Sequence, residues 1–424
     1  MPTSPSRRAR RRLASAVVVT AALAPLALAA PQADAAAAKK SARASVDLGR
    51  PGLPESRKVT RVESGVAVTS IVRGQKAATP ATRGTTQNGP WRIKVATIDP
   101  KRAKGHLRTA IGADIARTEG VSVLGKWSKS PIAVNGSFFS AGRRTAPGDM
   151  VGVAVNGGTI ISQPQRVAGH MGVLMDSRTK ALRMDNYSWK STITSDAGEL
   201  FLDAVNTPVA VPKGCEQMTD AASCPISGPL VRFTPHYAGR TPSGVGAEVV
   251  FDRKGCVISA RTTRGAKLSA SQTSIQATGA RAADLLRVAG SGCPTYQEKL
   301  FGSDRKQVEL SRTTFGVAGR YQLVREGKIV APTAKGSFFG RHPRTIIGRT
   351  AGGSVMLVTV DGRSTASVGV TLTEAARLAK SLGMVDAANL DGGGSTAMAV
   401  RGKLVNTPAG SRERSVGDAI ILLP

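Results

Sequence analysis

The stretch Asn389-Leu390-Asp391-Gly392-Gly393-Gly394-Ser395-Thr396-Ala397-Met398 sets a carboxylate just past a short apolar run, then three glycines and two hydroxyls. Three consecutive glycines cost backbone entropy, so a chain keeps them where φ is positive or where something must come close. An aspartate so placed can serve a reacting carbon as base, acid or nucleophile. The glycine N–H groups could cradle an anion, although the lysine of a nucleotide-phosphate loop is missing. A second apolar run, Ser354 to Val360, also ends in Asp-Gly, at Asp361 and Gly362, with Arg363 next. A third, Pro131 to Val134, runs into Asn135-Gly136-Ser137-Phe138-Phe139. These three ends predict one cleft lined by Asn135, Asp361 and Asp391. The plainer alternative is a set of tight turns, with Asp361 bonding its own turn.

A helix must link the two Asp-Gly ends. Thr371 and Glu374 have capping-box spacing, and Leu372, Ala375, Ala376, Ala379 and Leu382 share one apolar face. Gly383 stands at the helix C′ position. The separation of Asp361 and Asp391 suits a βαβ unit of about 30 residues. That predicts parallel strands with both aspartates at the carboxyl edge of one sheet. Elsewhere, short apolar segments alternate with Gly, Asn and Pro, a strand-rich pattern with few helices. Helices are expected at Ala110–Ile115, Ala280–Val288 and Leu372–Leu382. The fold class expected is α+β: a single large domain over 59–424, a mixed, strand-rich sheet, and one βαβ unit near the C-terminus carrying the site. The segment Gly-Ser-Phe-Phe occurs at 136–139 and again at 336–339; four residues do not make a repeat, and Phe138 and Phe139 are expected in the core.

Residues 1–35 have the form of a secretory signal peptide: five arginines, an apolar core, and Ala33-Asp34-Ala35 as a small-residue cleavage site. Residues 36–58 read as a flexible linker. No later stretch approaches membrane length, so the expected product is secreted or cell-wall associated. The net charge is +31; without the five arginines and one aspartate of residues 1–35 it is 31 − 4 = +27. So basic a chain attracts polyanions. With 4% aromatic residues and no basic helix, nucleic acid is a poor candidate. Phosphate-bearing envelope polymers suit an exported protein better. Cys215, Cys224, Cys256 and Cys293 should pair in an oxidising compartment, as Cys215–Cys224 with Cys256–Cys293 in the favoured of three connectivities. Zinc is the competing reading, but no C-x-x-C occurs and His106, His170, His236 and His342 stand singly. No cofactor is expected; a divalent cation is left open without support from the sequence.

With these residues in view, the chain resembles the phosphodiester glycosidase family, the N-acetylglucosamine-1-phosphodiester α-N-acetylglucosaminidase-like hydrolases. The matching pieces are Ala133–Phe139, Pro147-Gly148-Asp149 with Gly152, and Phe233–His236 with Thr241. They continue with His342–Gly348, Val360–Arg363 and Asn389–Met398, then Val405-Asn406 and Arg414. The resemblance implies release of a sugar from a sugar-1-phosphate diester. The chemistry fits the residues independently: the leaving phosphate monoester has a second pKa of about 6 and needs little help from an acid. Asp391 and Asp361 are the expected catalytic carboxylates. Arg344, Arg349 and Arg363 are the expected phosphate partners, unless Arg344 and Arg349 pair with surface carboxylates. Asn135, Asn389 and His342 would orient sugar or phosphate, and Gly392, Gly393, Gly394 and Ser395 would contact the anion. Two alternatives are kept: a non-catalytic module binding anionic wall polysaccharide, and an ordinary glycoside hydrolase, which also needs two carboxylates.

Overall fold

Hydrogen-bonded apolar strands dominate the computed structural model, which describes residues 45–140, 146–218, 224–410 and 412–424. The signal-peptide reading lies outside the described residues. Strands make up 43% and helix 9%, so the architecture is mainly β rather than evenly α+β. The largest sheet has eight strands in the order Glu55–Glu63, Val66–Arg73, Trp91–Ile98, Val355–Val360, Arg344–Thr350, Met384–Asn389, Gln322–Arg325 and Lys328–Ile329. Every neighbouring pair in it is antiparallel.

This corrects the expected βαβ unit. The strands ending near Asp361 and Asp391 do run in the same direction, with the helix Leu372–Ser381 between them in sequence. They are not neighbours, because Arg344–Thr350 lies between them, antiparallel to both. Strand direction follows from the crossover, whereas the inserted strand comes from earlier in the chain and leaves no local trace. The helix begins as its sequence requires. The Thr371 hydroxyl accepts from the Glu374 N–H at 3.1 Å, and the Glu374 carboxylate accepts from the Thr371 N–H at 2.9 Å. Gly383 follows with φ at 88°, a conformation that favours glycine.

Two apolar layers enclose the large sheet. On one side the helix sets Leu372, Ala375, Leu378 and Ala379 against Val358, Ile346 and Trp91. On the other, Ile98, Ile347, Leu357 and Leu390 meet Val134, Val317 and Ile420 of two further sheets. One of these pairs Ile132–Asn135 with Ala419–Leu423, and so places Asn135 beside Ala419. The other contains Thr314–Arg320. A five-stranded sheet carrying helix Arg281–Ala289 and a four-stranded sheet make up the rest. Ala110–Ile115 is not a helix. A short helix occupies Val121–Trp127 instead, burying Val121 and Leu124. The linker reading of 36–58 also changes where the chain is described. Val46 and Leu48 are buried beside Trp91, and Glu55 opens a nine-residue strand. The cysteines pair as Cys215–Cys224 and Cys256–Cys293. Thiol titration of unfolded, unreduced protein should therefore find no reactive sulfhydryl.

Candidate active site

Strand order brings the predicted residues to one sheet edge. Val355–Val360 runs out at Asp361, Met384–Asn389 runs out toward Asp391, and Arg344 opens the strand between them, opposite Val360. A cleft of about 480 Å³ opens there, lined by Asn389, Asp391, Gly392, Gly393, His342, Arg344 and Arg363. Arg320, Phe138 and Phe338 complete its walls.

The two Gly-Ser-Phe-Phe segments meet at this cleft, with the Phe138 and Phe338 ring centroids 6.2 Å apart. Phe138 is therefore a half-buried cleft wall rather than the core residue expected, whereas Phe139 packs against the apolar cluster of Val121, Leu124 and Val416. Phe338 also carries two cations against its ring: the Arg320 guanidinium at 4.6 Å and that of Arg344 at 5.1 Å from the centroid. Arg344 is buried. Its Nε donates to the Val370 carbonyl at 3.2 Å and its Nη2 to the Gly340 carbonyl at 3.0 Å. Those partners are neutral. The ion pairs among the described residues include none from Arg320, Arg344 or Arg363, and the buried Nε of Arg320 has no hydrogen-bond partner there. Burial lowers the Arg344 pKa to about 10, which leaves it cationic at neutral pH. Buried charge without an opposite charge is costly, so a cleft of this kind favours an anionic occupant.

Among the described residues, Asp391 is the one carboxylate on the cleft wall. Its Oδ1 accepts from the Gly392 N–H at 2.8 Å. Burial raises its pKa to about 6 against the pull of the Ser395 hydroxyl, the Gly392 N–H and the Arg414 charge, with Asp418 adding to the rise. Arg414 comes this close because Gly394 has no side chain: a Cβ there would lie 2.6 Å from its Cζ. His342 holds its ring neutral. Its Nε2 lies 2.6 Å from the Ser337 carbonyl, so that nitrogen donates, and Nδ1 accepts from Arg363 at 3.3 Å. Burial and the Arg363 and Arg344 charges lower its pKa, while the bond to Ser337 opposes them.

Asp418 carried no motif in the sequence. It stands after a glycine at the head of an apolar strand, a signal that resembles many turns. It is fully buried, and its carboxylate accepts from the Ser137 N–H and hydroxyl, each at 2.6 Å. Burial raises its pKa to about 6 as well. Gly136 sits between the two aspartates: its carbonyl accepts from the Asp391 N–H, and its N–H donates to the Asp418 carbonyl. A Cβ on Gly136 would fall 2.5 Å from Asp418 Oδ1, so only glycine fits.

Other expected residues sit elsewhere. Asn135 is buried and braces the loop, donating to the Asp391 carbonyl at 2.8 Å and accepting from the Thr345 hydroxyl at 2.7 Å. Asp361 turns away from the cleft wall. Its two oxygens accept from Asn406 Nδ2 and the Thr407 N–H, each at 3.1 Å. Arg349 lies at the far end of its strand and pairs with Asp386. Five residues from Arg344 along an extended strand is roughly 16 Å, out of reach of the cleft. Gly394 and Ser395 sit behind the wall. The glycine N–H cradle does not form at 392 and 393, because Gly392 donates to Asp391 and Gly393 to the Pro343 carbonyl. Close approach is what these glycines supply: a Cβ on Gly392 would meet the Pro343 carbonyl at 2.8 Å. Asp361→Asn should accordingly leave turnover within about tenfold of wild type, short of the loss of a positioned acid or base. It should destabilise by about 1–3 kcal/mol, because the new amide sets a donor against a donor. Parallel assays and thermal melts read both.

Comparison with known families bears on this geometry. Residues 238–423 match the phosphodiester glycosidase family. The matched segment holds Asp391, Arg320, Arg344, Arg363, His342 and Asp418, leaving Phe138 as the one cleft residue outside it. A stretch of 82 residues is 42% identical to the SPbeta prophage-derived uncharacterized protein YomE of Bacillus subtilis (strain 168). That stretch is 19% of this chain, and the chain spans only 13% of the relative's length. Among solved structures, a Burkholderia pseudomallei K96243 protein whose name describes it as exported superposes with TM-score 0.73 and 23% identity. The superposition covers 90% of this chain and 98% of that one. A hypothetical protein from Synechocystis superposes with TM-score 0.62 and 17% identity, over 87% and 68% of the respective chains. Both similarities concern the fold. Among the described residues no group of three His, Cys, Asp or Glu side chains is placed to hold a metal, and no helix is long and apolar enough to cross a membrane.

Proposed function

We propose that this protein is an exported hydrolase that releases a sugar from a sugar-1-phosphate diester, in cell-envelope or extracellular glycopolymers. One observation carries the reading: among the described residues a single carboxylate, Asp391, faces a cleft walled by Arg320, Arg344 and Arg363, none of which takes part in an ion pair found there. The arginines hold the phosphate, and Asn389 and Asp391 face the sugar. Water attacks the anomeric carbon as the bond to the phosphate oxygen breaks, and the electron pair leaves with the phosphate. The ionised Asp391 takes the water proton. The phosphate needs no proton to depart, because its second pKa is about 6, so one carboxylate suffices. An ordinary glycoside hydrolase would set a second carboxylate across the bond, and Asp361 and Asp418 are both engaged elsewhere. A purely binding cleft would gain nothing from a carboxylate among its cations. Two disulfides and a structural relative named as exported support the extracellular setting.

The test is a panel of sugar-1-phosphate diesters beside matched alkyl glycosides, assayed for free sugar. Release from the diesters alone supports the reading. Release from alkyl glycosides would return an ordinary glycosidase, and release from neither would return a binding module.

A further inference from the structure

The five-stranded sheet that carries helix Arg281–Ala289 bears a second concave surface that the chemistry at Asp391 does not use. Two adjoining hollows, of about 480 and 620 Å³, share Arg232, Arg253, Ser271 and Thr273 and so form one continuous groove. The turn Asp252–Gly255, which joins strands Gly244–Phe251 and Val257–Arg264, projects Arg253 and Lys254 over it. Both are exposed, and neither takes part in an ion pair found among the described residues.

The carboxylate in that turn does not neutralise them from the front. Asp252 Oδ1 faces back into the turn and accepts from the Lys254 N–H at 2.8 Å and the Cys256 N–H at 2.9 Å. The Cys256–Cys293 disulfide then ties the turn to the segment Pro294-Thr295 that forms the opposite wall. The basic tip is thus held over the groove at two points. On the wall, Arg232 lies 4.4 Å from the Tyr296 ring centroid and 3.4 Å from Glu298. Its stacking covers a Tyr296 face that a nucleobase would need. What remains along the groove is hydroxyl-rich: Ser269, Ser271, Thr273 and Thr159, with His236. Burial and the Arg232 charge favour a neutral His236 ring. Cations spaced among hydroxyls suit a polymer that alternates phosphates with sugars or polyols.

We infer that this groove is a second binding site, which holds a linear, phosphate-bearing polyol or glycan polymer through Arg253, Lys254 and the hydroxyl-lined floor. The inference rests on the phosphate-polymer substrate read above, and it deepens that reading: the protein grips the polymer at a place separate from the bond it cuts.

A built-in control makes the test sharp. Asp304-Arg305-Lys306 forms a similar exposed turn, with Asp304 Oδ1 accepting from the Lys306 N–H at 3.0 Å, and it lines neither hollow. Arg253→Glu/Lys254→Glu is compared with Arg305→Glu/Lys306→Glu, which makes the same change in net charge. Binding to a glycosylated poly(glycerol phosphate) is measured in low and high salt, beside an oligothymidylate of equal charge. Hydrolysis of a small sugar-phosphate diester is followed in both variants.

The 253/254 variant should lose about tenfold or more in polymer affinity and show a shallower salt dependence. The 305/306 variant should lose about threefold or less, and hydrolysis of the small diester should be unchanged in both. Equal losses in the two variants would reduce the effect to net charge and overturn the site. Oligothymidylate binding that matches the polymer and falls equally in the 253/254 variant would reassign the groove to nucleic acid. Absence of diester hydrolysis in the wild type would sink the proposed reaction, and the binding arm would still decide the groove.

Discussion

Asp391→Asn should remove most of the turnover, by about 10²–10⁴-fold, the usual effect of losing one positioned base. It should also make the protein more stable at neutral pH. Burial raises the folded-state pKa of Asp391 from 3.8 to about 6. Below about pH 4 the carboxyl is protonated in folded and unfolded chains alike, and it contributes no pH dependence. Between about 4 and 6 the unfolded chain has lost the proton while the folded chain still holds it, so stability falls as pH rises across this window. Above it the folded protein carries an anion in a place that disfavours one. Asparagine removes that charge. The melting temperature of the variant should exceed that of the wild type at pH 7.5, and the advantage should shrink toward pH 4. Activity of the wild type should follow the opposite trend, falling as pH drops through about 6, because the base must be ionised. A variant both active and less stable at pH 7.5 would make Asp391 an architectural residue.

Arg344 is the second decisive position. Its guanidinium is buried against carbonyls and the Phe338 ring, with no carboxylate beside it among the described residues. If phosphate supplies the missing charge, Arg344→Met should weaken inhibition by inorganic phosphate by about 10–100-fold, the worth of one or two charge-assisted hydrogen bonds. Arg344→Lys should recover only part of this, because the ammonium keeps the charge and loses the planar fork. Sugars without phosphate should inhibit both variants as they inhibit the wild type. The buried carbonyls released by the methionine variant will also lower its stability, so the comparison with lysine matters. Unchanged phosphate affinity in a destabilised Arg344→Met protein would confine the residue to holding the loop Phe338–Gly340.

These two residues show how differently parts of the site were legible. Asp391 was readable because its signal is local: an apolar strand, a carboxylate and glycines in one run of sequence. The helix start at Thr371 was readable for the same reason, since a capping box spans four residues and closes on itself. The disulfides followed from a small cysteine count, with the shorter bridge closing a short loop. The motif at Asp361 was equally visible, yet its meaning was not. Asp-Gly after a strand marks the edge of a sheet, while the direction of the side chain was decided by Asn406 and Thr407, more than forty residues away.

The remaining features depend on which strands become neighbours. The insertion of Arg344–Thr350 between two parallel strands put Arg344 at the cleft and carried Arg349 to the opposite end. Arg320 and Asp418 came from strands of two other sheets, each with one charged residue at the end of an apolar run. Such a residue reads as an ordinary strand terminus until the sheets pack. The Phe138 and Phe338 segments, identical over four residues and two hundred apart, became one wall only through that packing. Sequence by itself determined the local elements and one catalytic candidate, because caps and strand-end turns are set by nearby backbone bonds. Tertiary structure decided the makeup of the cleft, because long-range sheet order chooses which charges share a low-dielectric space without partners.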